Sequence, residues 1–183
     1  MNRLREVRDK AITPALALLP AAMSRNRVRV DVQLLATHLQ EAPNGEQCQV
    51  TQWRPREEEP VCGPARGIWQ FEKGGGVRGV LTHPSSKAHA VAACKALGIK
   101  PTEDGVFAAL PGSVDVIDAV FARLLYWTDP KPLPVLGEIE EAFQYYLRNW
   151  RPGAYTRGNL VQRETLRSKW AMNYRRALDE VMQ

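Results

Sequence analysis

The chain has 183 residues, of which 44% are hydrophobic and 25% charged. That composition suits one globular domain, at most with a short appendage, and excludes intrinsic disorder. The net charge of +5 is lopsided, because residues 148–183 hold eight Lys+Arg against three Asp+Glu while the rest is balanced. Such a segment suits a polyanionic partner, or else a solvated helix face. The longest apolar run, Pro14 to Met23, is ten residues with two prolines and is too short to cross a bilayer. The charged opening MNRLREVRDK is followed by no leader-type apolar segment, so no standard export signal and no membrane span are expected.

Helical spacing runs nearly throughout. Thr13-Pro14 reads as an N-cap with proline at the first helical position, and Pro20 ends that segment. Over Arg25–Glu41, the residues Val28, Val32, Leu35 and Leu39 step along one face of a helix. Pro43-Asn44-Gly45 stops it. Residues 43–66 carry four prolines and the run Glu57-Glu58-Glu59 and read as one long irregular loop, with a strand-like piece at Cys48–Trp53. A short helix is expected over Ala65–Lys73, broken by Gly74-Gly75-Gly76. Further helices are expected over Pro84–Leu97, over Thr102–Leu110 with Thr102 as N-cap, and over Ser113–Trp127, the last apolar enough to be the central buried helix. The three prolines of Asp129–Pro134 make a rigid linker. The stripes Ile139/Ala142/Phe143/Tyr146/Leu147/Trp150 and Leu166/Trp170/Tyr174/Ala177/Leu178/Val181 are the last two helices. No alternating run is long enough for a real sheet. The expectation is an all-α globule of about seven helices: one domain over 1–183, with an N-terminal helical segment at 1–24 and a basic C-terminal helix over 153–183 packed on it.

Cys48, Cys62 and Cys94 form no C-x-x-C pair, and the three histidines are not at zinc-finger spacing, so no metal site is expected. Cys48 and Cys62 flank one loop and could pair in an oxidising space; without a leader, free thiols are the favoured reading.

Two places carry chemistry. Glu41 ends the Arg25–Glu41 helix, off its apolar stripe. Partial desolvation and the negative end of the helix dipole both raise the pKa of a carboxyl there, as a general acid requires. Gly63-Pro64-Ala65-Arg66-Gly67-Ile68-Trp69-Gln70-Phe71-Glu72 sets an aromatic and amide cluster on a small-residue turn. Gly67 allows close backbone approach, Trp69 and Phe71 offer faces that stack on sugar rings, and Gln70 offers both a donor and an acceptor.

In that order the parts resemble the lysozyme superfamily, within it the soluble lytic transglycosylases and phage lysozyme-like proteins. There a helix ends in a catalytic glutamate, an irregular segment follows, and a Gly-Leu-Met-Gln-type motif lines the glycan cleft. Glu41 matches the glutamate and Gly67-Ile68-Trp69-Gln70 the motif. Ala42 stands where serine is usual and Trp69 where methionine is usual. The resemblance implies a compact lysozyme-like globule that cuts the β-1,4 bond between N-acetylmuramic acid and N-acetylglucosamine in peptidoglycan. Glu41 is then the catalytic residue; Gly67, Trp69, Gln70, Phe71 and Tyr145 contact the glycan. Tyr145 is taken over Tyr146 because Tyr146 lies on the apolar stripe. Glu72 is the best candidate for a second carboxylate, with Glu46 and Glu57–Glu59 behind it. No metal or organic cofactor is implied. A phage-encoded protein of this type, an endolysin or virion component, is made in the bacterial host cytoplasm and acts at the cell wall or periplasm. Its partners are glycan strands, with other virion proteins or an anionic polymer at the basic C-terminal helix. Two other readings stay open: an inactive lysozyme-like structural virion protein, which Ala42 favours, and a nucleic-acid-binding protein, which the basic and aromatic C-terminal segment favours.

Overall fold

The structure, a computed structural model, describes residues 3–52, 61–111 and 115–183. It is mainly helical with one small sheet. At the N-terminus, α1 (Arg3–Val7) passes through a π turn (Arg8–Ile12) into α2 (Thr13–Ala17) without interruption. Thr13-Pro14 therefore does not open a new helix. The turn widens instead, with the Thr13 N–H reaching the Arg8 carbonyl, and so passes a proline that has no N–H to give. A 3₁₀ turn (Ala21–Ser24) and Asn26, at φ 56°, lead into α3 (Arg27–Glu41).

Eleven consecutive residues of α3, Val30 to Gln40, are buried, while Val28, assigned by spacing to the core stripe, is 39% exposed. The helix is thus enclosed rather than amphipathic, and shares the centre with α7 (Val116–Thr128), expected to be the one central helix. Its polar side chains do not mark a wet face because each finds a partner inside. Gln33 donates to Tyr126 Oη at 3.0 Å, Thr37 to the Gln33 carbonyl at 2.8 Å, and Asp31 pairs with Arg27 at 2.7 Å. Gln40 Oε1 accepts from Asn173 at 2.9 Å.

The stretch read as an irregular loop and a short helix contains an antiparallel sheet, β1 (Cys48–Gln52), β2 (Val61–Arg66) and β3 (Phe71–Glu72), in that order. The strand-like piece is present as β1; Trp53 and Glu57–Glu59 lie outside the described residues, as does Ser113. Residues Ala65–Lys73, expected to be helical, instead end one strand, turn and begin the next. Register shifts between β1 and β2, and Gly63-Pro64 in the middle strand, account for the missing alternation. Cys48 and Cys62 are joined as a disulfide across β1 and β2, which corrects the reading of two free thiols; Cys94 is free and buried.

Gly74–Gly76 do not break the chain into a loop. They lie in a π turn (Lys73–Val77) that feeds α4 (Arg78–Thr82). Then come α5 (Lys87–Ala96), and α6 (Glu103–Ala109) with Thr102 accepting from the Gly105 N–H at 3.1 Å as its cap. After α7 come α8 (Ile139–Trp150), α9 (Gly153–Thr156) and α10 (Leu160–Met182), whose start is fixed by a capping box between Asn159 and Gln162. The long α10 lies along α3, and its Trp170 stacks on Tyr146 of α8 at 4.8 Å. Arg5 and Arg8 reach Glu180 at the far end of α10. Buried apolar side chains from α1 to α10 form one continuous cluster. Among the described residues no helix is long and apolar enough to cross a membrane.

Candidate functional site

Glu41 is the last residue of α3 and is partly buried. Its Oε1 accepts a 2.5 Å hydrogen bond from Tyr146 Oη. Burial pushes its carboxyl up to about 7, against the opposing pull of the Tyr146 hydrogen bond and the Lys169 charge. Burial and the neighbouring Glu41 hold the Tyr146 phenol well above its ordinary range, so it stays a donor. Lys169 donates to the Gln40 carbonyl at 2.7 Å, closing the C-terminal end of α3. Ala42 is fully buried, and its N–H returns to the His38 carbonyl at 2.8 Å.

The Gly67–Gln70 turn connects β2 to β3, and its backbone is held by side chains from three helices. Gly67 sits at φ +75°, and an added methyl there would collide with the Asp118 carboxylate of α7. The Gly67 N–H donates to the Gln47 carbonyl at 2.8 Å, and the Ile68 N–H to Asp118 Oδ2 at 2.5 Å. His38 Nδ1, on α3, lies 3.1 Å from the Ile68 carbonyl and must be the donor, since a carbonyl only accepts. Burial pushes the His38 imidazole down to about 4, so it is neutral. Trp150 of α8 donates to the Trp69 carbonyl at 3.0 Å.

These contacts bring the turn to the end of α3. His38 is one helical turn before Glu41, and Trp150 stacks at 6.4 Å on the same Tyr146 that holds Glu41. They also reassign several expected glycan contacts. Trp69 has 0% exposure and its indole N–H goes to the Leu34 carbonyl at 2.9 Å, so it presents no face to a sugar. Phe71 is buried edge-on to Phe121 at 6.3 Å. Both aromatics lie on the dry side of the turn, where α3 and α7 need filling. Tyr145 is buried and stacked on Tyr126 at 5.0 Å, with its hydroxyl on the Tyr126 carbonyl at 2.8 Å; the tyrosine beside Glu41 is Tyr146. Gln70 is partly exposed, at φ 52°. Its Nε2 donates to the Gly67 carbonyl at 2.9 Å and the Glu46 carbonyl at 3.1 Å, which leaves Oε1, an acceptor, to meet a ligand. Glu72 is exposed on β3. Glu46 lies on the loop after α3. Burial, which would raise its carboxyl, is outweighed by hydrogen bonds from its own backbone and from Asn44 and by the Arg3 charge, so it falls below its ordinary value.

Spacing alone missed Tyr146, Asp118, His38 and Trp150 as parts of this arrangement. Asp118 did leave a signal, as the one acid inside the apolar run Val116–Ala122. Trp170 and Tyr174 of the basic segment are buried and offer no face to nucleic-acid bases. Among the described residues no group of three His, Cys, Asp or Glu is placed to hold a metal ion. Comparison with protein-family models, curated proteins and solved structures finds no match for the chain.

Proposed function

We propose that the protein is a peptidoglycan-cleaving glycosidase of lysozyme-like type, a phage-encoded lytic transglycosylase or muramidase with Glu41 as its single general acid and base. The observation that carries the reading is a carboxyl at the end of an enclosed helix, fixed through one oxygen by Tyr146, raised to about 7 by burial, and one helical turn after the His38 that holds the Gly67–Gln70 turn. Tyr146 occupies Oε1, so Oε2 is the oxygen free to carry the proton. That proton passes to the glycosidic oxygen as its bond to C1 of N-acetylmuramic acid breaks. The resulting carboxylate then takes the proton of the muramic 6-hydroxyl, whose oxygen closes onto C1 to give the 1,6-anhydro sugar. A hydrolase would instead take the proton from water, with a second carboxylate assisting. Glu46, held anionic close after α3, is better suited to that role than the exposed Glu72. Gln70 Oε1 is suited to accept from a sugar N-acetyl N–H or hydroxyl.

Mass spectrometry of muropeptides after digestion of purified sacculi tests the reading. A 1,6-anhydro product identifies a transglycosylase and a reducing end a muramidase. Intact sacculi with the wild-type protein, or undiminished cleavage by Glu41→Gln, overturn it. The second reading, an inactive lysozyme-like virion protein, rests on Ala42, which is fully buried and supplies no hydroxyl next to Glu41 in the chain. Intact sacculi together with assembly into particles would favour that reading.

A further inference from the structure

Among the described residues, three buried side-chain polar atoms have no hydrogen-bond partner: His38 Nε2, Gln47 Oε1 and Asp118 Oδ1. All three belong to residues that hold the Gly67–Gln70 turn. His38 takes the Ile68 carbonyl, the Gln47 carbonyl takes the Gly67 N–H, and Asp118 takes the Ile68 N–H. Buried polar groups without partners weaken a fold, and apolar side chains of similar shape would serve stability better. Their concentration around one turn marks a place where geometry is held at the expense of stability. Asp118 is at the centre of it. It has 0% exposure, rises from α7 beneath Gly67, and stands against the Gly67 backbone at a distance that leaves no room for a side chain. At the N-cap of the same helix, Asp115 accepts from Gln47 Nε2 at 3.1 Å. Asp118 thus grips the turn directly through the Ile68 amide, and Asp115 indirectly through Gln47.

We propose that Asp118 is the positioning residue of the glycan site, the side chain that sets the height and tilt of the Gly67–Gln70 turn and so aims Gln70 at a sugar bound beside Glu41. The proposal rests on the reading of Glu41 as the catalytic acid. Asp118 touches no substrate. Its carboxyl takes the Ile68 amide directly after Gly67, which is left-handed, and the turn leaves Gln70 left-handed as well. A misplaced Gln70 weakens glycan binding more than it slows the proton transfer at Glu41, so the effect falls on KM.

The test uses the full chain, purified sacculi for turnover and a soluble N-acetylglucosamine tetrasaccharide for affinity. Asp118→Asn keeps an acceptor oxygen for the Ile68 amide and is expected to stay within about threefold of wild type in both assays. Asp118→Leu keeps the bulk without the acceptor and is expected to lower kcat/KM by about 10- to 100-fold, nearly all of it in KM, in a protein that still melts cooperatively. If the leucine variant does not fold, Asp118→Ser, which leaves room for a water, is read in its place at reduced temperature with the same expectation. Unchanged KM and tetrasaccharide affinity in a folded Leu or Ser variant overturn the positioning role. So does an Asn variant as impaired as the Leu variant, because shape and charge rather than the acceptor would then matter. Glu41→Gln runs alongside: if it keeps full activity the glycosidase reading fails, whereas an inactive Glu41→Gln with an unaffected Asp118→Leu removes only the Asp118 proposal.

Discussion

The two halves of the candidate site are built on opposite principles. The Glu41 half is a helix end whose neighbours Tyr146 and Trp170 are layered aromatic rings, and it depends on exclusion of water. The Gly67–Gln70 half has almost no regular structure and depends on side chains reaching its backbone from Asp118, His38 and Trp150, which are 50, 30 and 81 positions distant in the chain. In the first half an ordinary carboxyl is given an unusual acidity. In the second, an irregular backbone is given a fixed shape. Trp150 joins the two, holding the Trp69 carbonyl of the turn and stacking on the Tyr146 that binds Glu41.

Glu41→Gln should show the largest effect: a loss of about 10²- to 10⁴-fold in sacculus cleavage. The same variant separates acidity from stability. The folded-state pKa of Glu41 is raised, from 4.5 to about 7. The native state therefore binds more protons than the unfolded chain between those values, and stability is full below pH 4.5 and declines as pH rises through about 7. Above that point the wild type should be weaker than Glu41→Gln by up to about 3 kcal/mol, with the gap closing at pH 4. Denaturant midpoints of both proteins at pH 4 and pH 8 check this, and a gap that widens on acidification would contradict it.

On the turn side, opening the Cys48–Cys62 bridge should destabilise the protein by about 3 kcal/mol, as expected for a closed loop of 14 residues. Thermal melts of a Cys48→Ser/Cys62→Ser double variant measure it, and the proposed cleavage should survive wherever the protein is folded. Trp69→Phe removes the donor to the Leu34 carbonyl and should cost about 1–3 kcal/mol while leaving tetrasaccharide affinity unchanged. A fall in affinity at unchanged stability would restore Trp69 as a stacking surface. The smallest effect is expected for Tyr146→Phe. Its hydroxyl holds the Glu41 pKa down, so its loss should move both the decline of stability with rising pH and the alkaline limb of activity to higher pH, with cleavage reduced about tenfold. A pH–rate profile of the variant reads the shift directly.

How much of this is legible from residue order follows the same division. The Ile139–Trp150 and Glu103–Ala109 helices are plain from apolar spacing and from the Thr102 cap, because both signals are local. Enclosure of α3 is not, since Gln33, Thr37 and Gln40 read as solvated until Tyr126 and Asn173 arrive from 93, 89 and 133 positions away. The small sheet was hidden for another reason: Gly63, Pro64 and the register shifts erase the alternation that marks a strand. Glu41 could be singled out because a helix end is a local event. Spacing favours Tyr145 because Tyr146 lies on the apolar stripe, yet that stripe is what carries a phenol to a buried carboxyl. Trp69 and Phe71 suit a sugar face equally well as residues, and only the packing of α3 and α7 against them decides that they fill the interior.

The long α10 has a bearing on what keeps a proton on this carboxyl. Lys169 and Trp170, which cap the end of α3 and cover Tyr146, both belong to α10. Until that helix docks, Glu41 stays hydrated and is an ordinary, fully ionised acid at neutral pH. A chain whose α10 is undocked therefore carries Glu41, Tyr146 and the Gly67–Gln70 turn without the burial that holds the proton on Glu41.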